Sequence, residues 1–202
     1  MDHIAAQALA LIKDHPEWAL LVIGVTAFGE SFVFLSLLFP GTAILIASGA
    51  LVSENVLQPV PIIMAGVVGA VLGDSVSFWL GEMFGPALQK TWPYRDHPER
   101  LERGVRFFER FGGGSVFIGR FFGPLRAVVP LVAGIMRMPR LRFYVANVLS
   151  ALVWAPTLVL LGDKLVRLLG AEGLATKILS IVVAVAALAV LATWLRRQLL
   201  SG

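Results

Sequence analysis

The sequence contains no cysteine and little charge, and each shortage excludes a class of protein. Without cysteine there is no disulfide framework and no thiolate chemistry. Charged residues make up only 15% of the 202 residues and hydrophobic residues 57%, whereas globular domains are about 25% charged and about 45–50% apolar. The composition therefore excludes an ordinary soluble domain and indicates an integral membrane protein.

Motifs of known enzymes are also lacking. None of the three histidines, His3, His15 and His97, has a companion at metal-ligand spacing. No nucleophile elbow occurs, and no glycine loop follows a strand to cradle a phosphate. We therefore expect no catalysis, no bound metal and no cofactor.

The net charge of +4 does not indicate a nucleic-acid partner, because Lys and Arg collect in the cytoplasmic loops of membrane proteins. The first 18 residues carry acids and lack a basic n-region, so we expect no cleaved signal peptide there. We expect partners within the bilayer and no nucleic acid.

The first apolar run is too long for a single straight helix. Residues 4–14 predict a short interfacial helix that ends at Pro16. Residues 18–52 are then apolar except for Glu30, and an unbroken helix of this length would measure about 52 Å against a hydrocarbon core of about 30 Å. The run must turn back at Pro40-Gly41, as two passes or as a re-entrant hairpin.

Further spans follow. Residues 62–81 predict a span that contains Asp74, and Gly66, Gly69 and Gly73 lie at helix-packing spacing within it. This small-residue face fits a homo-oligomer as well as packing within the chain. The later elements are a span at 143–162 interrupted by Pro156, a polar loop at 163–173 and a final span at 174–195.

The polar connection before residue 113 ends in an amphipathic pattern. From Pro98 to Phe111, apolar residues recur on one face and arginines elsewhere, which predicts a basic helix on the membrane surface. If residues 113–136 re-enter and leave on one side, most Lys and Arg residues share that side. The positive-inside rule then predicts a cytoplasmic C-terminus and an external N-terminus.

Two arginines lie in the broken apolar stretch at residues 115–136. Arg120 and Arg126 stand on either side of a Gly-Pro break. An arginine at the bilayer centre costs about 2.5–3.5 kcal/mol on insertion scales, so an anionic group has to meet it. Because a guanidinium suits bidentate phosphate recognition, we expect the arginines, Glu30 and Asp74 to line one polar cavity that admits an anionic headgroup.

Structural roles for these residues are open alternatives. The arginines could pair internally, Arg120 with Glu30 and Arg126 with Asp74 or with helix-end carbonyls, only to hold the fold. Glu30 could accept and release a proton or serve as a structural partner, and the structural role is favoured for Asp74. Thr42 could cap the returning helix or touch a ligand, and capping is favoured.

A weak internal similarity predicts two halves. Residues 48–51 and 81–82 resemble residues 133–136 and 162–163. Each half would be a broken hairpin followed by one span, so the two copies would enter the bilayer from opposite faces. Such inverted repeats place a binding site at the midplane between discontinuous helices.

Three combined motifs resemble those of the DedA family of bacterial inner-membrane proteins, which are related to the SNARE-associated Golgi, or VTT-domain, proteins. The motifs are FGESFVFLSLLFPGTAILIASGAL, GDSVSFWLGEMFG and GRFFGPLRAVVPLVAGIMRMP. The resemblance runs from about residue 17 to residue 162 and is strongest toward the YabI-like members. It implies two re-entrant hairpins that face each other and a role in moving lipids such as undecaprenyl phosphate or phospholipids. It also implies, for some members, dependence on the proton-motive force.

The resemblance also implies roles for individual residues. Glu30, Arg120 and Arg126 match the acid and the arginines that the family requires for function. Many members carry an acid directly after the Pro-Gly turn, where this chain has Thr42. Glu30 is therefore the main candidate for proton coupling. Asp74 is common but not general in the family.

The sequence thus predicts an all-α integral membrane protein of the bacterial inner membrane, built from two inverted repeats and an extra C-terminal helix. Its predicted function is a lipid translocase that binds an anionic headgroup. The alternatives are a proton-coupled transporter of a small ion and a non-transporting membrane scaffold. The predicted parts are an interfacial helix at 1–16, a membrane domain at 17–162 (repeat 1 at about 17–82, a connector at 83–112, repeat 2 at about 113–162) and a C-terminal helix at 163–202.

Overall fold

The computed structural model describes residues 14–36, 39–85 and 98–169, and all regular structure in these ranges is helical. The predicted interfacial helix at 4–14, apart from its last residue, and the predicted final span at 174–195 lie outside the described residues. The elements are α1 (Pro16–Ser31), α2 (Gly41–Ser53), α3 (Pro59–Phe84), α4 (Pro98–Phe111), α5 (Ser115–Gly119), α6 (Val128–Ile135) and α7 (Arg140–Leu169), with 3₁₀ turns at Gly112–Gly114 and Gly123–Leu125.

Two described helices, α3 and α7, are long and apolar enough to cross a membrane. They contain the predicted spans at 62–81 and 143–162 and extend beyond them at both ends. Helix α3 begins with Pro59 in its first turn, where a missing N–H costs nothing. It ends before Gly85, whose φ of 40° suits a residue without a Cβ.

Helix α7 corrects two predictions. Pro156 does not interrupt the span, because Trp154 and Val159 are buried on either side of it and the helix is held in the core there. Residues 163–169 are helical and not a loop. An ion pair of 2.9 Å joins Asp163 to Arg167 along the helix, and the apolar side chains of this turn include the buried Val166.

The first apolar run breaks earlier than predicted. Helix α1 ends at Ser31, so Glu30 lies in its last turn, and α2 begins at Gly41, at the predicted Pro40-Gly41 position. Contacts with Ser77 of α3 explain why α1 ends at Ser31. The Ser77 hydroxyl accepts a hydrogen bond of 3.0 Å from the Val33 N–H and lies 3.3 Å from the Ser31 carbonyl oxygen. The neighbouring helix therefore satisfies the Val33 N–H, which the break leaves free.

The second broken stretch is confirmed as discontinuous. Helix α5 has five residues and α6 has eight, with the 3₁₀ turn Gly123–Leu125 between them. Arg120 directly follows α5, and Arg126 directly follows the 3₁₀ turn. Both arginines are therefore held by the ends of short helical segments.

The helices pack through close backbone contacts at glycines. Gly49 of α2 lies against the Val159 carbonyl and Gly162 of α7, while Gly134 of α6 lies against the carbonyl of Phe78 in α3. A Cβ at any of these glycines would overlap the facing backbone, which is how small residues let helices approach closely. The resembling segments of the two halves thus contact each other crosswise, α2 on α7 and α6 on α3.

The small-residue face of α3 packs within the chain. Gly69 lies against the Gly24 carbonyl and Gly73 against the Phe28 carbonyl, both in α1. Gly66 lies against Leu45 of α2. These contacts form the interface between α3 and the first two helices.

The amphipathic helix is confirmed with the predicted bounds, Pro98–Phe111. Its half-buried residues Val105 and Phe108 pack against a cluster that includes Leu131 and Val132 of α6. Arg103 and Arg106 are exposed on the other side. The apolar face of α4 therefore covers the second broken stretch.

Candidate functional site

The four predicted charged residues form two buried ion pairs. Arg120 pairs with Asp74, and Arg126 pairs with Glu30 at 2.8 Å. The side chains of the first pair are 2% and 6% exposed, and those of the second pair 7% and 13%. Both guanidinium groups also lie at the ring of Trp154, with Cζ-to-centroid distances of 6.0 Å for Arg120 and 4.4 Å for Arg126. The structure therefore brings the predicted residues into one polar cluster.

The partners within these pairs are the reverse of those considered from the sequence. The arginines do pair internally, but the predicted partners, Glu30 for Arg120 and Asp74 for Arg126, are wrong. Arg120 follows α5, which packs on α7, and there it faces Asp74 in the middle of α3. Glu30 lies at the end of α1 beside the start of α2, and this end faces Arg126.

Arg120 is held by two long helices. Its Nε donates to the Ser150 Oγ at 2.8 Å, and its Nη2 donates to Asp74 and to the Asn147 Oδ1. The Asn147 side-chain amide in turn donates to the Val71 carbonyl at 3.2 Å, which fixes its orientation. Among the described residues, the buried Nη1 of Arg120 has no hydrogen-bond partner.

Arg126 is held by groups at the ends of helices. Its Nη1 forms the ion pair with Glu30 at 2.8 Å and donates a hydrogen bond to the Thr42 Oγ1 at 3.1 Å, and its Nη2 donates to the Ser31 Oγ at 3.1 Å. Ser31 ends α1 and Thr42 lies in the first turn of α2. Among the described residues, every oxygen atom that contacts the Arg126 guanidinium thus comes from the helix ends on either side of the break between α1 and α2.

Thr42 does not cap α2, which corrects the favoured prediction. Pro40 is the residue before the helix, and no side chain caps it. The Thr42 hydroxyl instead donates to the Glu30 Oε1 and accepts from Arg126. It therefore belongs to the polar cluster, because the helix start is turned toward the ion pair.

The Glu30 carboxylate sits against the start of α2. A Cβ on Gly41 would overlap its Oε2, so a glycine is required for the carboxylate to approach this closely. The Oε2 is buried and has no hydrogen-bond partner among the residues that the structure describes. One donor on Arg120 and one acceptor on Glu30 are thus left free in the same cluster.

Four residues of the cluster were missed by the sequence analysis. Asn147, Ser150 and Trp154 share one face of α7, three and four residues apart, and contact the arginines. Two polar residues and a tryptophan at helical spacing in an apolar span were a usable signal. Ser31 carried no signal of its own beyond its position next to Glu30.

The donors of this cluster suit an anion better than a metal ion. In the described parts of the chain, no three acidic or histidine side chains are grouped to hold a metal. Guanidinium groups donate hydrogen bonds in a fixed planar fork, which matches carboxylate and phosphate oxygens. The Nη1 of Arg120, which has no partner among the described residues, is the donor of this cluster that remains for an anionic oxygen.

Comparison with known proteins places the chain among membrane proteins. A family model described as the VTT domain matches residues 39–164, a range that includes Thr42, Asp74 and both arginines. Inner membrane protein YabI of Escherichia coli (strain K12) is 31% identical over 145 residues, which cover 72% of this chain and 57% of YabI. An uncharacterized membrane protein of Mycobacterium tuberculosis (strain ATCC 25618 / H37Rv) is 34% identical over 153 residues, which cover 72% of this chain and 69% of that protein.

The extent of these matches differs between relatives. An uncharacterized membrane protein of Synechocystis is 34% identical over 151 residues and is matched over 69% of its length. The chain spans less than two thirds of the Escherichia coli and Buchnera relatives that it matches. No solved structure matches the chain.

Proposed function

Since this chain belongs to the VTT-domain, or DedA, family of membrane proteins, we propose that it moves an anionic lipid across the bacterial inner membrane. Undecaprenyl phosphate and phospholipids are the lipids considered. The headgroup would bind at Arg120 and Arg126 while the tails stay in the bilayer. The observation that carries the proposal is the buried Nη1 of Arg120, which lacks a partner in the described residues.

A free donor on a buried guanidinium is costly. A buried polar group without a partner loses about 1–3 kcal/mol, and more when it is charged. An oxygen of a phosphate headgroup at this Nη1 would remove that cost through a charge-assisted hydrogen bond. Arg126 contacts the same tryptophan ring as Arg120, and we propose that it presents a second positive group to the ligand. The step needs no covalent chemistry, and we propose transport and not catalysis.

The proposal includes a topology. We propose that α1 with α2, and α5 with α6, form two re-entrant hairpins related as inverted repeats, in a multi-pass protein with a cytoplasmic C-terminus. Two observations support this topology. Helices α5 and α6 are far too short to cross a core of about 30 Å. The crosswise glycine contacts, α2 on α7 and α6 on α3, give both halves the same packing.

Lipid movement in reconstituted vesicles tests the function. Vesicles holding the full chain would carry fluorescent phosphatidylglycerol or undecaprenyl phosphate, and the native chain is expected to move at least one of them. Arg126→Ala is expected to abolish that movement, because the headgroup loses one of its two cationic contacts. Arg142→Ala is the matched control, since it removes an exposed arginine at the start of α7.

Three results would contradict the proposal. The first is a native chain that moves neither lipid. The second is an unchanged rate for Arg126→Ala. The third is a loss of thermal stability in both Arg120→Ala and Arg126→Ala that accounts for the whole loss of movement, since this is the behaviour of a scaffold.

One observation favours a second candidate, a proton-coupled transporter of a small ion. The free Oε2 of Glu30 can accept a proton without losing a hydrogen bond within the described residues. This candidate predicts that the native chain moves a small ion but no lipid. It also predicts that Glu30→Gln stops the flux of that ion. The vesicle assay with both kinds of solute separates the two functions.

A further inference from the structure

Trp154 is an uncharged side chain that contacts both arginines of the described cluster. Its side chain is buried, with 4% of the residue exposed. Arg126 lies 4.4 Å from the ring centroid and Arg120 lies 6.0 Å from it. Neither ion pair involves the tryptophan, and the proposed function gives it no role so far.

The Trp154 ring contacts the flat face of the Arg126 guanidinium, whereas oxygen ligands bind at its N–H edge. The N–H groups of Arg126 lie in the guanidinium plane and donate to Thr42 and Ser31, and the same group forms the ion pair with Glu30. The flat face of the same group is free to lie on an aromatic ring, where the ring quadrupole attracts it. An incoming anion would compete with Glu30 for the N–H edge but would not compete with Trp154 for the face.

The backbone fixes the ring in place relative to Arg120. Trp154 lies one turn after Ser150 and two turns after Asn147 on α7, and these two residues bind Arg120. Its neighbours Ala151 and Ala155 are fully buried in the core. A rigid helix face therefore presents one contact for Arg126 and several for Arg120.

We propose that Trp154 is a positioning residue that holds the two guanidinium groups at a fixed separation, so that one anionic headgroup contacts both. The inference rests on the proposed function and adds the element that sets the geometry of its site. Trp154 is uncharged and would act on the ligand only through the positions of the two arginines. Its effect should appear in the apparent affinity for lipid more than in the rate at saturation.

The test measures lipid movement as a function of the mole fraction of the lipid that the native chain transports. Trp154→Leu, which removes the ring, is expected to raise the half-saturating mole fraction about 5- to 30-fold, the range for a desolvated cation–π contact. Trp154→Phe keeps a ring and is expected to recover most of that loss. Trp79→Leu is the matched control, because Trp79 is 49% exposed on α3.

A fluorinated tryptophan at position 154 separates electrostatics from packing. Fluorine weakens the ring quadrupole with little change in size, so the half-saturating mole fraction should rise while the unfolding temperature stays native. If this variant and Trp154→Leu both keep the native half-saturating fraction, the inference is overturned and the proposed function stands. If the native chain moves neither lipid, the proposed function fails, and this inference fails with it.

Discussion

The two buried ion pairs have the same chemistry but different supports. Asp74 lies in the middle of the long helix α3, and the other ligands of Arg120 lie in the long helix α7. Glu30 and Thr42, in contrast, lie at the two helix ends that face the first break. The first pair is therefore tied to continuous elements, and the second pair is tied to interrupted ones.

Because of this difference, we expect one ion pair of the cluster to be rigid and the other to be able to move. The backbone in the middle of a long helix cannot move without moving the helix. Groups at helix ends can move through a few backbone dihedrals, as hinge residues do. We infer that Arg120–Asp74 holds the fold and that Arg126–Glu30 is the pair that can rearrange when a ligand enters. Substitutions that affect the two pairs unequally test this comparison.

The largest expected effect is the loss of the first acid. Asp74→Ala leaves Arg120 buried without its carboxylate and is expected to cost about 3–5 kcal/mol of unfolding free energy, as for other broken buried pairs. Glu30→Ala is expected to cost less, about 1–3 kcal/mol, because Arg126 keeps Thr42, Ser31 and the tryptophan ring. Denaturant unfolding in detergent measures both values. Equal costs would remove the distinction between the pairs.

A smaller effect is expected at the glycine beside Glu30. In Gly41→Ala the new methyl group overlaps the Glu30 Oε2 and crowds the Thr26 carbonyl. The expected cost is about 1–2 kcal/mol, within the range for overpacking, together with slower lipid movement because the carboxylate is displaced. Gly123→Ala in the second break is the control, since no atom lies within 4 Å of its Cβ position. Similar losses in both variants would show that the breaks need flexibility and not room for the carboxylate.

The smallest effect concerns the turns that leave α2 and α6. Both turns place a residue other than glycine at positive φ, Asn55 at 56° and Arg137 at 53°. This conformation costs arginine more than it costs asparagine. Arg137→Gly is therefore expected to raise the unfolding free energy by about 0.5–1 kcal/mol, and Asn55→Gly by less. Thermal melting of the two variants checks the order, and a larger gain for Asn55→Gly would contradict it.

Much of this arrangement was predictable, because charge in an apolar run is a strong signal. The positions of Glu30, Asp74, Arg120 and Arg126 needed no structure, and neither did the bounds of α4, whose apolar periodicity is strong. The pairing was not predictable, because it depends on which helix ends face each other. Likewise, Pro156 was expected to interrupt α7 on local grounds, but tertiary packing keeps the helix continuous.

The hydroxyl of Ser77 at the end of α1 has a consequence for the order of assembly. Ser77 leaves the ribosome well after Ser31, since it lies 46 residues further along the chain. Until α3 is made, the backbone groups at residues 31–33 lack this partner in a medium that offers no water, and a continued helix is the arrangement that satisfies them. We infer that the break between α1 and α2 forms only after α3 has entered the bilayer, because Ser77 then becomes available as a partner.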